Sequence, residues 1–319
     1  MSSIRTTTEG RSWAGARRAM TAMAAVGLLL ATCSDDEGAG TASSSTAATE
    51  TTETTAPSTA ASTTVEETTP TTAAVPAGAR YVALGSSFAA GSGIPDQGPT
   101  CGRSDHNYAH LVAAELQLEL VDVTCGGAFT ANLIDTPQMD EPVQMDAITA
   151  DTALVTMTVG GNDVAYTLST IICAGVEECV PDLDTAATDT ALADLPNRFA
   201  TIVQAIRDRA PDAIIVLVTY PEVIPADDLA CDQLGLEADE AAYLSDLGQR
   251  LNQAFLDSAA ANDMLLADSF GASAGHGPCA PPADSWVNGA DKAKGDPFHP
   301  TAVGHEGMAQ LVLALLQAA

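Results

Sequence analysis

From residue 80 onward the chain alternates short apolar runs with longer amphipathic stretches. Five runs, at 81–84, 118–123, 153–159, 213–219 and 264–267, read as β-strands. Most are near-continuous rather than alternating, the pattern of strands buried on both faces. Between and after them, apolar residues recur at helical spacing over 108–116, 195–209, 237–262 and 301–317. This alternation predicts an α/β domain whose parallel sheet carries helices on both faces. In such sheets a site lies beyond the carboxyl ends of the strands.

The pattern is absent before residue 79. Residues 34–78 are nearly all Thr, Ser, Ala, Glu and Pro, with no Lys or Arg. Such a segment cannot bury enough apolar surface to offset chain entropy, so a disordered stalk is expected, of a composition that suits O-glycosylation. Ahead of it, Arg5, Arg11, Arg17 and Arg18 precede an apolar run at 19–32. That run is short for a bilayer span and reads as a bacterial-type signal peptide. Leu30-Ala31-Thr32-Cys33 resembles a lipobox, with Cys33 as the expected lipidation site, although Thr32 departs from the usual small residue. Cleavage nearby and free secretion is the alternative. The expected plan is a signal peptide over 1–33, a linker over 34–78 and one domain over 79–319.

Composition narrows the partners. Twelve Lys plus Arg stand against 42 Asp plus Glu, a formal net charge of -30. Nucleic acid is excluded as a partner because phosphate binding needs clustered cations. Docking on anionic lipid is disfavoured too, leaving an N-terminal lipid as the expected membrane contact. Aromatics are only 4%, so the core must be mostly aliphatic. Apart from Cys33 there are six cysteines, Cys101, Cys125, Cys173, Cys179, Cys231 and Cys279. An even set in an exported chain reads as three disulfides, with 15 pairings open. No C-x-x-C pair or Cys/His cluster has ligand spacing, so no metal is expected.

Four short segments carry candidate chemistry. The first strand runs into Gly85-Ser86-Ser87-Phe88-Ala89-Ala90-Gly91, where a serine at a strand-to-helix turn sits near free backbone N–H groups. Cys125-Gly126-Gly127-Ala128 follows the second strand and could aim an N–H at the same cleft. Gly160-Gly161-Asn162-Asp163 follows the third and offers a side-chain amide. Asp296-Pro297-Phe298-His299-Pro300 follows the fifth, with a carboxylate spaced to reach an imidazole. Each alone reads equally as a turn.

In this order the four segments resemble the blocks of the SGNH (GDSL-type) hydrolase superfamily, its secreted actinobacterial lipase branch in particular. Residues 81–91, YVALGSSFAAG, look like the nucleophile block, and Gly127, Gly160 to Asp163 and Asp296 to His299 match the other three. The resemblance implies a three-layer α/β/α sandwich with a flavodoxin-like, five-stranded parallel sheet. It implies a carboxylester hydrolase, an esterase or lipase, with Ser87 as nucleophile, His299 as base and Asp296 orienting it. The oxyanion hole would be the N–H groups of Ser87 and Gly127 and the Asn162 amide. It also implies the pairings Cys101–Cys125, Cys173–Cys179 and Cys231–Cys279, and no cofactor. Ser86 stands where the family has Asp, and register on Gly85 and Phe88 favours Ser87 over Ser86 as the attacking residue.

Other residues read as structural. His305 suits packing or surface, Trp286 packing, and Asp163 a helix cap; His106, His110 and His276 are scattered. Tyr166 and the loop over 173–184 are placed to border the pocket. The expected substrate is an ester, whether lipid, envelope acyl ester or acetylated glycan, and the expected state a monomer outside the cell, tethered by lipid or secreted. An envelope acyltransferase or glycan deacetylase on the same site, or a non-catalytic solute-binding lipoprotein, are the competing readings.

Overall fold

The computed structural model describes residues 75–176, 178–226 and 231–318. The expected signal peptide, Cys33 and the linker up to residue 74 lie outside the described residues. Among the described residues no helix is long and apolar enough to cross a membrane.

Five strands form the sheet: β1 Arg80–Gly85, β2 Glu119–Asp122, β3 Thr152–Thr158, β4 Ile214–Val218 and β5 Leu265–Ala267. All neighbours are parallel, in the order β2-β1-β3-β4-β5. The helices are α1 Ser87–Ala90, α2 Tyr108–Leu116, α3 Thr130–Ile134, α4 Tyr166–Cys173, α5 Thr185–Arg209, α6 Ala238–Ala261, α7 Ser269–Ala272 and α8 Ala302–Ala318.

The layering follows from the two-residue period of the strands. Val82 and Leu84 enter one core with Phe199 and Ile202 of α5 and Leu244 and Phe255 of α6. Tyr81 and Ala83 enter the other with Tyr108 and Val112 of α2 and Met308 and Val312 of α8. β3 and β4 divide likewise, Val155, Met157, Ile215 and Leu217 to the first core and Leu154, Val216 and Val218 to the second. The result is a three-layer α/β/α sandwich with the doubly wound, flavodoxin-like strand order. The order reverses at β1, which opens a crevice beyond its carboxyl end, between it and β3.

The predicted strands all form, β1 one residue longer at each end, β3 shifted by one, and the others shorter by one residue at one or both ends. The longest departure is α5, which begins ten residues before the expected start. Its first turns are rich in Thr and Ala and bury little besides Thr188 and Leu192, so they carry almost no apolar period. Asp184 starts it by accepting from the Ala187 N–H at 2.9 Å. The three disulfides are Cys101–Cys125, Cys173–Cys179 and Cys231–Cys279, those the family resemblance implied. Cys101–Cys125 ties the chain after α1 to the turn after β2.

His305 on α8 is fully buried, stacked on Tyr108, and its Nδ1 accepts from the Tyr108 N–H at 3.2 Å. Burial first, then the neighbouring His299, pushes its pKa down to about 3. The unfolded chain binds this proton below about pH 6.5, whereas the folded chain refuses it until about pH 3. Stability contributed by neutral His305 is therefore present above pH 6.5 and lost as pH falls toward 3. Urea unfolding between pH 7 and pH 4 should show a shallower loss of stability in His305→Gln, which keeps an acceptor but does not titrate. Identical slopes in the two proteins would refute this role.

Candidate active site

The crevice beyond β1 is built by locking a sharp turn in place. Gly85, at φ 141°, lies where a Cβ would collide with the Thr158 backbone. The side-chain amide of buried Gln144 reads both backbone groups of Gly85, accepting from its N–H at 2.8 Å and donating to its carbonyl at 3.0 Å. The Ser86 N–H donates to the Thr158 carbonyl at 2.9 Å, and α1 begins one residue later.

The two adjacent serines then diverge. Ser86 is fully buried and its hydroxyl meets the Tyr220 hydroxyl at 3.0 Å. That contact braces the turn where the family's Asp would stand. Ser87 keeps 8% exposure, and its Oγ lies 2.9 Å from His299 Nε2. Phe88 stacks on Tyr220, ring centroids 4.1 Å apart, and also flanks the His299 ring at 5.1 Å.

His299 reaches this position through a tight turn. Its N–H donates to the Asp296 carbonyl at 3.3 Å, with Pro297 second and Phe298 third at φ 58°. Proline followed by positive φ is the pattern of a type II turn. The buried Phe298 ring anchors it. Asn288 clamps it from an adjoining extended segment: its N–H donates to the His299 carbonyl at 2.9 Å and its carbonyl accepts from Phe298 at 3.2 Å.

One expected contact is replaced. The His299 Nδ1 is hydrogen-bonded to the Pro297 carbonyl at 2.8 Å, not to the Asp296 carboxylate. The turn curls the Pro297 carbonyl under the ring, so the backbone occupies the position that sequence spacing gave to Asp296. Asp296 acts on the ring only as a nearby negative charge. Burial lowers the His299 pKa below its ordinary 6.5, partly opposed by the Pro297 bond and then by Asp296. Neutral His299 with Nδ1–H donating to Pro297 leaves Nε2 as the acceptor facing Ser87.

Three donors stand at the turns after β1, β2 and β3. The Ser87 N–H is first in α1 and has no partner within the helix. Gly127, at φ 78°, is exposed, and its N–H makes no hydrogen bond among the described residues. The Asn162 amide donates to the Ala128 carbonyl at 2.9 Å. An amide NH₂ has two hydrogens, so this bond fixes the group and leaves one to donate. Asp163 accepts from the Thr130 N–H at 3.0 Å and pairs with Arg198 at 3.6 Å. It therefore caps α3, the helix after Gly127, and couples the two donor segments.

A cavity of about 560 Å³ borders this centre, lined by Gly93, Ile171, Lys292, Gly295, Asp296, Pro297 and His299. A separate cavity of about 480 Å³ includes neither Ser87 nor His299. Tyr166, expected at the pocket edge, is instead buried against Gly248 of α6. Its helix reaches the cleft through Ile171, because residues five apart on a helix point in different directions. Trp286 packs on Gly307 of α8. His106 pairs with Asp96, His110 lies by Asp122 and His276 meets the Asp284 carbonyl, so none joins Ser87. The only group of possible metal ligands among the described residues contains the bonded Cys173 and Cys179, with Glu240. Glu240 is already engaged by the N–H groups of Cys179 and Glu237.

Gln144, Tyr220 and the Pro297 carbonyl escaped the sequence reading. Gln144 lies in an aperiodic segment with no motif, and a carbonyl has no residue identity to read. Tyr220, two residues after the end of β4, was the one with a usable signal: an aromatic just beyond the carboxyl end of a central strand. Gln144→Ala should lower stability by about 1–3 kcal/mol, because the buried Gly85 N–H loses its partner, while the Gly85 carbonyl keeps the Cys125 N–H at 3.0 Å. Urea unfolding measures it, and a change below about 0.5 kcal/mol would show that water replaces the amide.

Comparison with known proteins places these features. Residues 83–306 match the GDSL-like lipase/acylhydrolase family. Lipase 2 of Streptomyces coelicolor is 33% identical over 254 residues, covering 74% of this chain and 85% of that protein. The crystal structure of phospholipase A1 from Streptomyces albidoflavus NA297 has a TM-score of 0.63 and 27% identity, covering 75% of this chain and 100% of the other. The extracellular lipase from Streptomyces rimosus has a TM-score of 0.62 at 24% identity, covering 74% and 99%. With the family matched across most of the sandwich, this chain belongs to the GDSL-like lipase/acylhydrolase family, in the actinobacterial lipase branch of the SGNH hydrolases, and is a carboxylic ester hydrolase.

Proposed function

We propose that the chain cleaves esters outside the cell through an acyl-enzyme on Ser87. The observation that carries this reading is the 2.9 Å hydrogen bond between Ser87 Oγ and the Nε2 of a neutral, buried His299. Ser87 Oγ attacks the ester carbonyl carbon while Nε2 takes its proton. The tetrahedral intermediate collapses, and imidazolium returns the proton to the departing alcohol. Water, activated by the same nitrogen, then attacks the acyl-enzyme and releases the carboxylic acid and free Ser87. The developing oxyanion is held by the N–H groups of Ser87 and Gly127 and by the Asn162 amide. The Pro297 carbonyl fixes the ring and its tautomer, and the Asp296 charge stabilises the imidazolium. Ser86 takes no part in the chemistry.

The basic start and apolar run ending at Cys33 support export, with a lipid on Cys33 tethering the enzyme outside the membrane. The likeness to Streptomyces lipases, one of them a phospholipase A1, supports acyl lipids as the substrate class.

The test uses p-nitrophenyl esters of graded chain length. Ser87→Ala should abolish turnover with unchanged folding, and normal turnover by it would end this assignment. Asn162→Ala should lose about 10²–10³ in kcat, the cost of one oxyanion donor. Asp296→Asn should cost about tenfold or less, because the Pro297 carbonyl still orients the ring; a loss near 10⁴ would restore the carboxylate as orienter. Since burial lowers the His299 pKa, the base remains unprotonated below pH 6.5, and the acid limb of kcat/KM should fall below that value. An acid limb above pH 6.5 would contradict the assignment of His299.

A further inference from the structure

Cations are scarce in this chain, and two of them are left idle. The sequence holds only two lysines, Lys292 and Lys294. Every arginine among the described residues is engaged: Arg103, Arg198 and Arg250 by carboxylates, Arg80, Arg207 and Arg209 by backbone carbonyls. The two lysines are exposed, and their ammonium groups make no hydrogen bond or ion pair among the described residues. In a chain with 42 Asp plus Glu, a cation that keeps clear of every carboxylate is the exception.

The carboxylates nearest in sequence act elsewhere. Asp291 turns back on its own backbone, accepting from the Ala293 N–H at 3.0 Å. Asp296 stands by His299, where its charge acts on the ring. The segment between them is a 3₁₀ turn, Lys292–Lys294. At about three residues per turn, positions 292 and 294 point to different sides. Lys292 accordingly lines the cavity of about 560 Å³ together with Asp296 and His299. Lys294 lines the other, of about 480 Å³, which includes neither Ser87 nor His299.

We propose that Lys292 is the counter-ion of a subsite for an anionic group, phosphate or carboxylate, carried on the leaving alcohol of the ester. The inference rests on the ester-hydrolase reading of the cleft and narrows its substrate class. The mechanism gives the side. His299 must return a proton to the departing alcohol, so the alcohol half of the ester lies toward His299, in the cavity that this ring lines. Charge gives the orientation. Asp296 repels an anion at the histidine, which leaves the anion toward Lys292 and the ester toward the ring. An ammonium is a compact charge with three donors, so it accepts either kind of oxyanion. The formal net charge of -30 does not cancel this attraction, because exposed charges farther than about 8 Å are largely screened at physiological salt.

The experiment uses the full chain and soluble butyrate esters: neutral 1-butyrylglycerol, 1-butyrylglycerol 3-phosphate and 3-butyryloxybutanoate. Lys292→Gln should lose about fivefold in kcat/KM on a charged ester, the upper range for an exposed ion pair, through KM and with kcat unchanged. Its rate on the neutral ester should stay within twofold of the parent, and Lys292→Arg should keep the parent's behaviour on all three. Lys294→Gln removes the same charge two residues away and should change no rate beyond twofold. The charged ester with the larger Lys292 effect names the oxyanion. Losses below twofold in Lys292→Gln, or equal losses in Lys292→Gln and Lys294→Gln, would overturn the subsite. So would the same Lys292 dependence on mono-p-nitrophenyl succinate, whose anion is on the acyl half. Calorimetry of 1-butyrylglycerol 3-phosphate with Ser87→Ala reads binding without turnover. Binding weakened about fivefold by adding Lys292→Gln, with no ester turnover by the parent, would overturn the hydrolase reading but leave the anion subsite standing. Binding that ignores Lys292 would overturn the subsite itself.

Discussion

The hydrogen bond between Ser87 and His299 joins residues 212 positions apart, and almost every irregular feature of the molecule serves to keep its ends in register. The serine end is fixed by the Gln144 amide on Gly85, the Thr158 carbonyl on Ser86, and Tyr220 against both Ser86 and Phe88. The histidine end is fixed by Asn288 and by the buried Phe298. A parallel sheet makes this possible, since it delivers the ends of all five strands to one edge. A displacement of about 1 Å between the two ends can cost on the order of 10²-fold in rate. On the proposed mechanism, the supports on each side therefore matter as much as Ser87 and His299 themselves.

Phe298 shows how a costly conformation is retained. A bulky residue at positive φ costs about 1–3 kcal/mol. Burying a phenylalanine ring contributes about 1.5–3 kcal/mol, enough to offset it. Glycine would adopt the same φ without strain but would give up the anchor. The turn accordingly holds its shape through the core rather than through the local preference of its backbone.

Sequence periodicity carried the sandwich because β1, β3 and β4 are buried on both faces, and runs such as Ile214–Val218 have no alternative home. It failed at the start of α5, where Thr and Ala give no apolar stripe, and at α4, where Leu168 and Ile172 face solvent. The four chemical segments were legible because turns at strand ends require Gly, Ser and Asn at fixed positions. Gln144 was not, since its partner is a backbone 59 residues away that only the fold brings near. Asp296 was legible as a residue next to the histidine, but its separation in sequence did not reveal that Phe298 would bend the chain and interpose a carbonyl.

That carbonyl has an evolutionary corollary. A carboxylate that orients a catalytic histidine can be deleted by one codon change and neutralised by acid. The Pro297 carbonyl is open to neither, because every residue type supplies one and a peptide oxygen does not titrate near any physiological pH. Drift at position 297 therefore threatens the active centre only through the shape of the turn. Position 296 then bears on the ring through its charge alone, so a change there shifts the pH range over which the proposed base works.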